Sequence, residues 1–142
     1  MKLVDKENKI LKTVCDEHIL SEHSETLAYD MIVTMKEHDA IGLAAPQVGE
    51  NTALMIIGHE DTGFVVCINP VWEVAEDSED EDFLEGCVSF PGLELTINRP
   101  NKINGTFTDL NGFRKTSTFV GVWAQAFQHE CDHLNGVTFD TL

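Results

Sequence analysis

Apolar residues return at four-residue intervals in "SEHSETLAYDMIVTMKEHDA" (21–40), where Leu27, Met31 and Met35 align with Ala28 and Ile32 beside them. That period predicts a helix with one apolar stripe, and Ser24, Glu25 and the acids before them suit its start. "GLAAPQVG" (42–49) interrupts the period with Gly42, Pro46 and Gly49, so no helix continues through it. "TALMIIG" (52–58) and "FVVCINPVWEVAE" (64–76) read as strands separated by a turn at "HEDTG", with Pro70 marking an edge or a bulge. "LELTINRP" (93–100) and "KINGTFTDLNGFRKTSTFVG" (102–121) predict further strands, the second stretch folding back at "DLNG". A last helix is predicted from Gly121 to Leu134, with Gly136 placed to end it. There is no internal repeat, and the pattern describes an α+β chain.

The 142 residues, 42% of them hydrophobic, predict a single domain over 1–142 with a real core. The first twenty residues never assemble the apolar stretch of a secretory signal, and no run of roughly 18 apolar residues is present to span a membrane. With 9 basic against 25 acidic residues, the formal charge is −16, which argues against nucleic-acid binding through a basic surface. Part of that charge lies in "EDSEDED" (76–82), which reads as a solvated acidic loop. Cys15, Cys67, Cys87 and Cys131 form no C-x-x-C pair and read as free thiols.

Candidate chemistry sits on the last predicted helix, in "FQHECDHLNG" (127–136). Residues four apart on a helix are offset by about 40°, so His129 and His133 point the same way and can share one cation. Glu130 is about 100° round from His129, close enough to exchange a proton with a water there without itself being a ligand. A catalytic ion of this kind needs three protein ligands and an open position. The chain ends at Leu142, so the third ligand is expected upstream, in "FLEGCVSFPG" (83–92), where Cys87 sits beside a small-residue turn. Cys, His and His suit Zn(II), Fe(II), Co(II) or Ni(II). Cys131 is about 200° from His129 and reads as a packed thiol. Asp132 reads as a solvated or helix-pairing acid that is also able to orient a ligand. His18, His23, His38 and His59 show no ligand spacing and default to the surface.

Three separated stretches, "IGLAAPQVG" (41–49), "EGCVS" (85–89) and "QHECDH" (128–133), together resemble the signature motifs of the peptide deformylase family, in the same order and with comparable spacing. The resemblance runs from "ILKTVC" (10–15) to the end of the chain. It implies a fold of mostly antiparallel strands around a central metal-binding helix. The implied activity is hydrolysis of the formyl group from N-formyl-methionine on nascent polypeptides, releasing formate. It further implies metal ligation by Cys87, His129 and His133, with Fe(II) the usual resident ion and zinc, nickel or cobalt as substitutes. Glu130 is implied as the base and acid, and Gln47 with the Val88 N–H as donors to the oxyanion. Ile41 and Gly42 match positions that hold the substrate backbone. Val122, Gln125 and Ala126, seven, four and three residues before His129, are expected to line the methionine pocket. Glu85 and Arg99 match an acid and an arginine expected to pair and brace the Cys87 loop.

Several positions depart from the family pattern. Ala40 stands where a glycine usually opens the first motif, and Val88 where leucine is common. Gln125 and Ala126 stand where larger apolar residues or arginine are common. Most bacterial members continue into a C-terminal helix associated with ribosome docking. This chain stops at Leu142 and is similar to the short forms encoded by bacteriophages. The resemblance implies a monomer acting in the cytoplasm, that of the host if the source is viral, with ribosome proximity but not the usual docking helix. Two rival readings remain at this point: an H-E-x-x-H metallopeptidase, disfavoured by the absent downstream ligand, and a metal-stabilised binding module, which would need a fourth ligand.

Overall fold

The computed structural model describes all 142 residues and contains two helices and seven strands. Helix α1 spans Glu22–Glu37 and α2 spans Val122–Leu134. The strands are β1 (Gly42–Ala44), β2 (Leu54–His59), β3 (Gly63–Val74), β4 (Asp80–Cys87), β5 (Phe90–Pro100), β6 (Lys102–Thr108) and β7 (Arg114–Val120). Five form an antiparallel sheet in the order β1-β2-β3-β6-β7, and β4 and β5 form a separate two-stranded ribbon.

Alternation along β2 decides what each helix buries. Leu54 and Ile56, with Ile68 of β3, pack with Leu27, Ala28, Met31 and Met35 of α1. Met55 and Ile57, with Cys67, face the other way onto Ala124, Ala126, Phe127, Cys131 and Leu134 of α2. Successive strand residues point to opposite faces, so one hydrophobic strand serves two layers. The Phe127 ring stacks on Phe119 at 4.9 Å between centroids, directly over Gly105. A Cβ at Gly105 would meet that ring at 2.7 Å, so this close approach of helix and sheet requires glycine. Beyond α2, the β4–β5 ribbon contributes Phe90 and Ile97, which pack with Phe139. Helix α2 therefore lies between the sheet and the ribbon.

Several local readings are refined by these contacts. Helix α1 begins a turn earlier than Ser24: Ser21 is the cap, and Ser24 closes a capping box onto the Ser21 N–H. Pro70 does lie at a bulge, where the β3–β6 register shifts between Ile68 and Val71 and Asn69 takes a φ of 50°. The "DLNG" turn joins β6 to β7 as expected, with Asp109 Oδ1 accepting from the N–H groups of Asn111 and Phe113. The acidic run is a loop only in its first part. From Asp80 onward it is strand, because Asp82 and Glu81 find amide donors in Asn98 and Asn101 across the ribbon. Left-handed backbone before β1 falls on Asp39 (φ 50°) rather than Ala40, so Ala40 needs none of the freedom a glycine would give. No helix is long and apolar enough to cross a membrane.

Candidate active site

The end of β4, the start of β1 and the middle of α2 surround a cavity of about 360 Å³. On its floor Cys87 Sγ lies 3.4 Å from His133 Nε2, and the ligand atoms of Cys87, His129 and His133 all fall within 4.8 Å of one another. Bond lengths of about 2.0–2.3 Å to a tetrahedral ion require neighbouring donors to be roughly 3.3–3.6 Å apart. The thiolate and imidazole spacing meets that requirement, and one sulfur with two ring nitrogens is a donor set for borderline-soft divalent ions. The residues therefore fit a metal. Cys87 is delivered by the last position of β4 rather than by a loop, with the β4–β5 turn following at Val88 and Ser89.

His129 is aimed by its outer nitrogen. Its Nδ1 lies 2.8 Å from Glu85 Oε1, which leaves Nε2 for the cavity. Glu85, only 1% exposed, also receives both Nε and Nη2 of Arg99, and Arg99 Nη1 donates to Asp132 Oδ2 at 3.0 Å. Burial alone would raise the Glu85 carboxyl, but hydrogen bonds from His129 and Arg99 outweigh it and hold it at about 2. Burial likewise works against charge on His129, yet Glu130, Cys87 and Glu85 together raise it to about 10. His133 goes the other way: full burial, with positive His129 nearby, lowers it to about 3, and its Nδ1 has no partner. The expected Glu85–Arg99 pair is thus present. Its direct contact is with His129, and it includes Asp132, a partly exposed acid that pairs with Arg99 of β5 rather than within its own helix.

Glu130 is 4% exposed and faces the cavity with Oε1 unpartnered. Its burial, the dominant effect, raises the carboxyl to about 7. Gly42 is what leaves room for it: a Cβ there would overlap Glu130 Oε2 and lie 2.9 Å from Cδ. Gln47 is locked in a short 3-10 turn, Ala45–Val48, that begins with Pro46 near its start. Its Oε1 accepts from the Ala44 N–H at 2.9 Å, and its Nε2 donates to Ser89 Oγ at 2.9 Å and approaches Cys87 Sγ at 3.5 Å. The backbone N–H of Val88 has no acceptor within the chain.

All the remaining expected residues reach the same cavity: Ile41 and Gly42 on one wall, Val122, Gln125 and Ala126 on another. Asp39 and Leu84, not anticipated from the motifs, also line it. The default surface placement fails for His18, which is 7% exposed and bridges Thr52 Oγ1 (2.7 Å) and Ser24 Oγ (2.6 Å). No local spacing could signal this, because Thr52 is far away in the chain.

The sequence profile of polypeptide deformylase matches residues 1–141. The chain belongs to the polypeptide deformylase family. Among curated deformylases it is 42% identical over 118 residues to the peptide deformylase of Dictyoglomus thermophilum, an alignment covering 83% of this chain and 75% of that one. A crystal structure of a peptide deformylase from Synechococcus elongatus in complex with actinonin superposes with a TM-score of 0.91 at 35% identity, covering 97% of this chain and 75% of that chain. Arabidopsis thaliana peptide deformylase 1B, in complex with an inhibitor, gives 0.92 at 34% identity, covering 99% and 80%. These solved deformylases share the fold of this chain, and the α+β expectation holds.

Proposed function

We propose that this chain hydrolyses the formyl group of N-formyl-methionyl nascent polypeptides, using one divalent ion held by Cys87, His129 and His133. The observation that carries the reading is the cluster of those three donors beneath a cavity that Cys87, His129, Glu130 and Gln47 line. Three protein ligands leave an open coordination position, which a closed structural site would not. Fe(II) is proposed as the resident ion, with Zn(II), Ni(II) or Co(II) able to replace it. When bound, the ion supplies positive charge at the reacting carbonyl and a water brought toward a pKa of ~7.

The protein's own groups do the rest. Glu130 takes the proton of the attacking water through its unpartnered Oε1 and returns it to the amine as the formyl C–N bond breaks. Negative charge gathers on the formyl oxygen as the water attacks, before that bond breaks. Gln47 Nε2 and the free Val88 N–H are the donors available to it, each of the kind whose loss costs about 2.7–4 kcal/mol. Gln47 needs no reorganisation, since Ala44 already fixes its carbonyl end. Gly42 opens β1, the edge of the five-stranded sheet, with Ile41 just before it, and at such an edge an extended peptide finds main-chain partners. Val122, Gln125 and Ala126 form the wall that receives the methionine side chain. Glu85, Arg99 and Asp132 position His129 without touching substrate.

The substrates are proposed to be nascent chains in the cytoplasm, processed by a monomer. The test is formate release from a formyl-Met-Ala-Ser peptide, by metal-loaded protein and by Glu130→Gln. The reading requires turnover by the first and retention of one ion per chain without turnover by the second. Metal-loaded wild-type protein that releases no formate overturns it.

A further inference from the structure

We propose that Gln125 is a specificity-determining residue that lets this pocket take a first side chain ending in a strong hydrogen-bond acceptor, methionine sulfoxide as well as methionine. The inference rests on the deformylase reading above and concerns which substrates that site accepts.

Four apolar side chains share the cavity wall with Gln125, and the cavity's other polar side chains are Asp39, Gln47, His129 and Glu130. Leu84, Val88, Val122 and Ala126 line the cavity and contribute no polar side-chain atom. Of the two amides that reach it, Gln47 is committed to the formyl oxygen, its carbonyl end fixed by Ala44 and its Nε2 held beside Ser89 and Cys87. Gln125 is not. Its single hydrogen bond is a long one, Nε2 to the Leu84 carbonyl at 3.4 Å. Gln128, one helical position class away and buried, shows what a committed amide on α2 looks like, with bonds of 2.8 Å and 3.1 Å. An amide carries two N–H donors and a carbonyl. Gln125, partly exposed, therefore keeps a donor that no protein group takes, one helical turn or about 6 Å along α2 from His129.

That donor is ill matched to a thioether, which is a weak acceptor, and well matched to a sulfoxide, whose oxygen is a strong one. In a wholly apolar pocket the sulfoxide oxygen would lose its water without replacement. Here the Gln125 N–H replaces it, and the small side chain of Ala126 beside it leaves volume for the added oxygen. The bond cleaved is unchanged: water attacks the formyl carbon, the C–N bond breaks, and formate leaves with the free amine of the sulfoxide peptide.

The experiment compares kcat/KM for formyl-Met-Ala-Ser and its methionine-sulfoxide counterpart, by formate release, in metal-loaded wild type, Gln125→Leu and Gln125→Glu. Leucine removes the donor, and an ionised glutamate only accepts. The ratio of sulfoxide to thioether efficiency is expected to fall about 3- to 10-fold in both variants, the worth of one neutral hydrogen bond. A general disturbance of α2 would lower both substrates and leave the ratio alone. An unchanged ratio overturns the proposal, as does wild-type protein that hydrolyses the thioether peptide but not the sulfoxide. Wild type inert toward both peptides would instead remove the deformylase reading, and this inference with it.

Discussion

Replacing Arg99 by leucine isolates the electrostatic brace behind the metal-binding helix. Arg99 is 6% exposed and gives two N–H groups to Glu85 and one to Asp132. Removing it leaves the Glu85 carboxylate, 1% exposed, facing only the His129 ring. Losing one partner of a buried pair costs about 3–5 kcal/mol. For a chain of this size that corresponds to a fall in Tm of roughly 10 °C or more. Glu85 will recover part of the loss by taking up a proton. Protonation, however, also weakens its hold on His129 Nδ1, so metal affinity is expected to drop about 10- to 100-fold. The double variant Arg99→Leu/Glu85→Leu separates the two effects. It should regain much of the stability, because the one carboxylate left without its partner, Asp132, is partly exposed and can keep its water, but not the metal affinity, because His129 has lost its acceptor. Thermal unfolding with and without ion, together with competition against a chelator, reads both. A single variant that unfolds within ~1 kcal/mol of wild type and binds the ion equally well would refute the reasoning.

Three other perturbations follow from the same geometry. Gly42→Ala should lower kcat about 10²-fold or more with the ion retained, since a methyl group there displaces the Glu130 carboxylate; full activity would show that Glu130 does not act from this position. Gln47→Leu should cost about 10²–10³ in kcat with little change in ion content, and a variant that instead only raised KM would place Gln47 in ground-state binding. His18 is held neutral, chiefly by burial and secondarily by His23, so its pKa lies below the usual value. Its contribution is complete above an unfolded-state pKa of about 6.5 and is lost as pH falls through the lower folded-state value. Unfolding free energy should therefore fall less steeply between pH 7 and 5 in His18→Gln than in wild type; parallel curves would contradict this.

What the chain revealed beforehand followed from local signals. The four-residue spacing of Leu27, Met31 and Met35 is a property of one helix, and Pro70 announces its bulge wherever the strand lies. The same locality made His129 and His133 readable as a pair, and the Cys87 region could be reached by asking where a third ligand remained. Long-range partners were not visible in this way. His18 is buried because Thr52 and Asn69 come to it across the fold, and nothing near His18 in sequence implies them. Asp132 looked like an ordinary helical acid until Arg99 arrived from β5. The acidic residues from Asp80 onward became strand because amides and an arginine face them across the ribbon, a pairing that charge density alone disguises.

The most direct test of the account is the dependence of formate release on the ion. Protein stripped by a chelator, shown to be folded, should not hydrolyse formyl-Met-Ala-Ser, and adding back one equivalent of Fe(II) without oxygen, or of Ni(II) or Co(II), should restore turnover. Formate release at the same rate from stripped and reloaded protein, or none from protein holding one ion per chain, would contradict it.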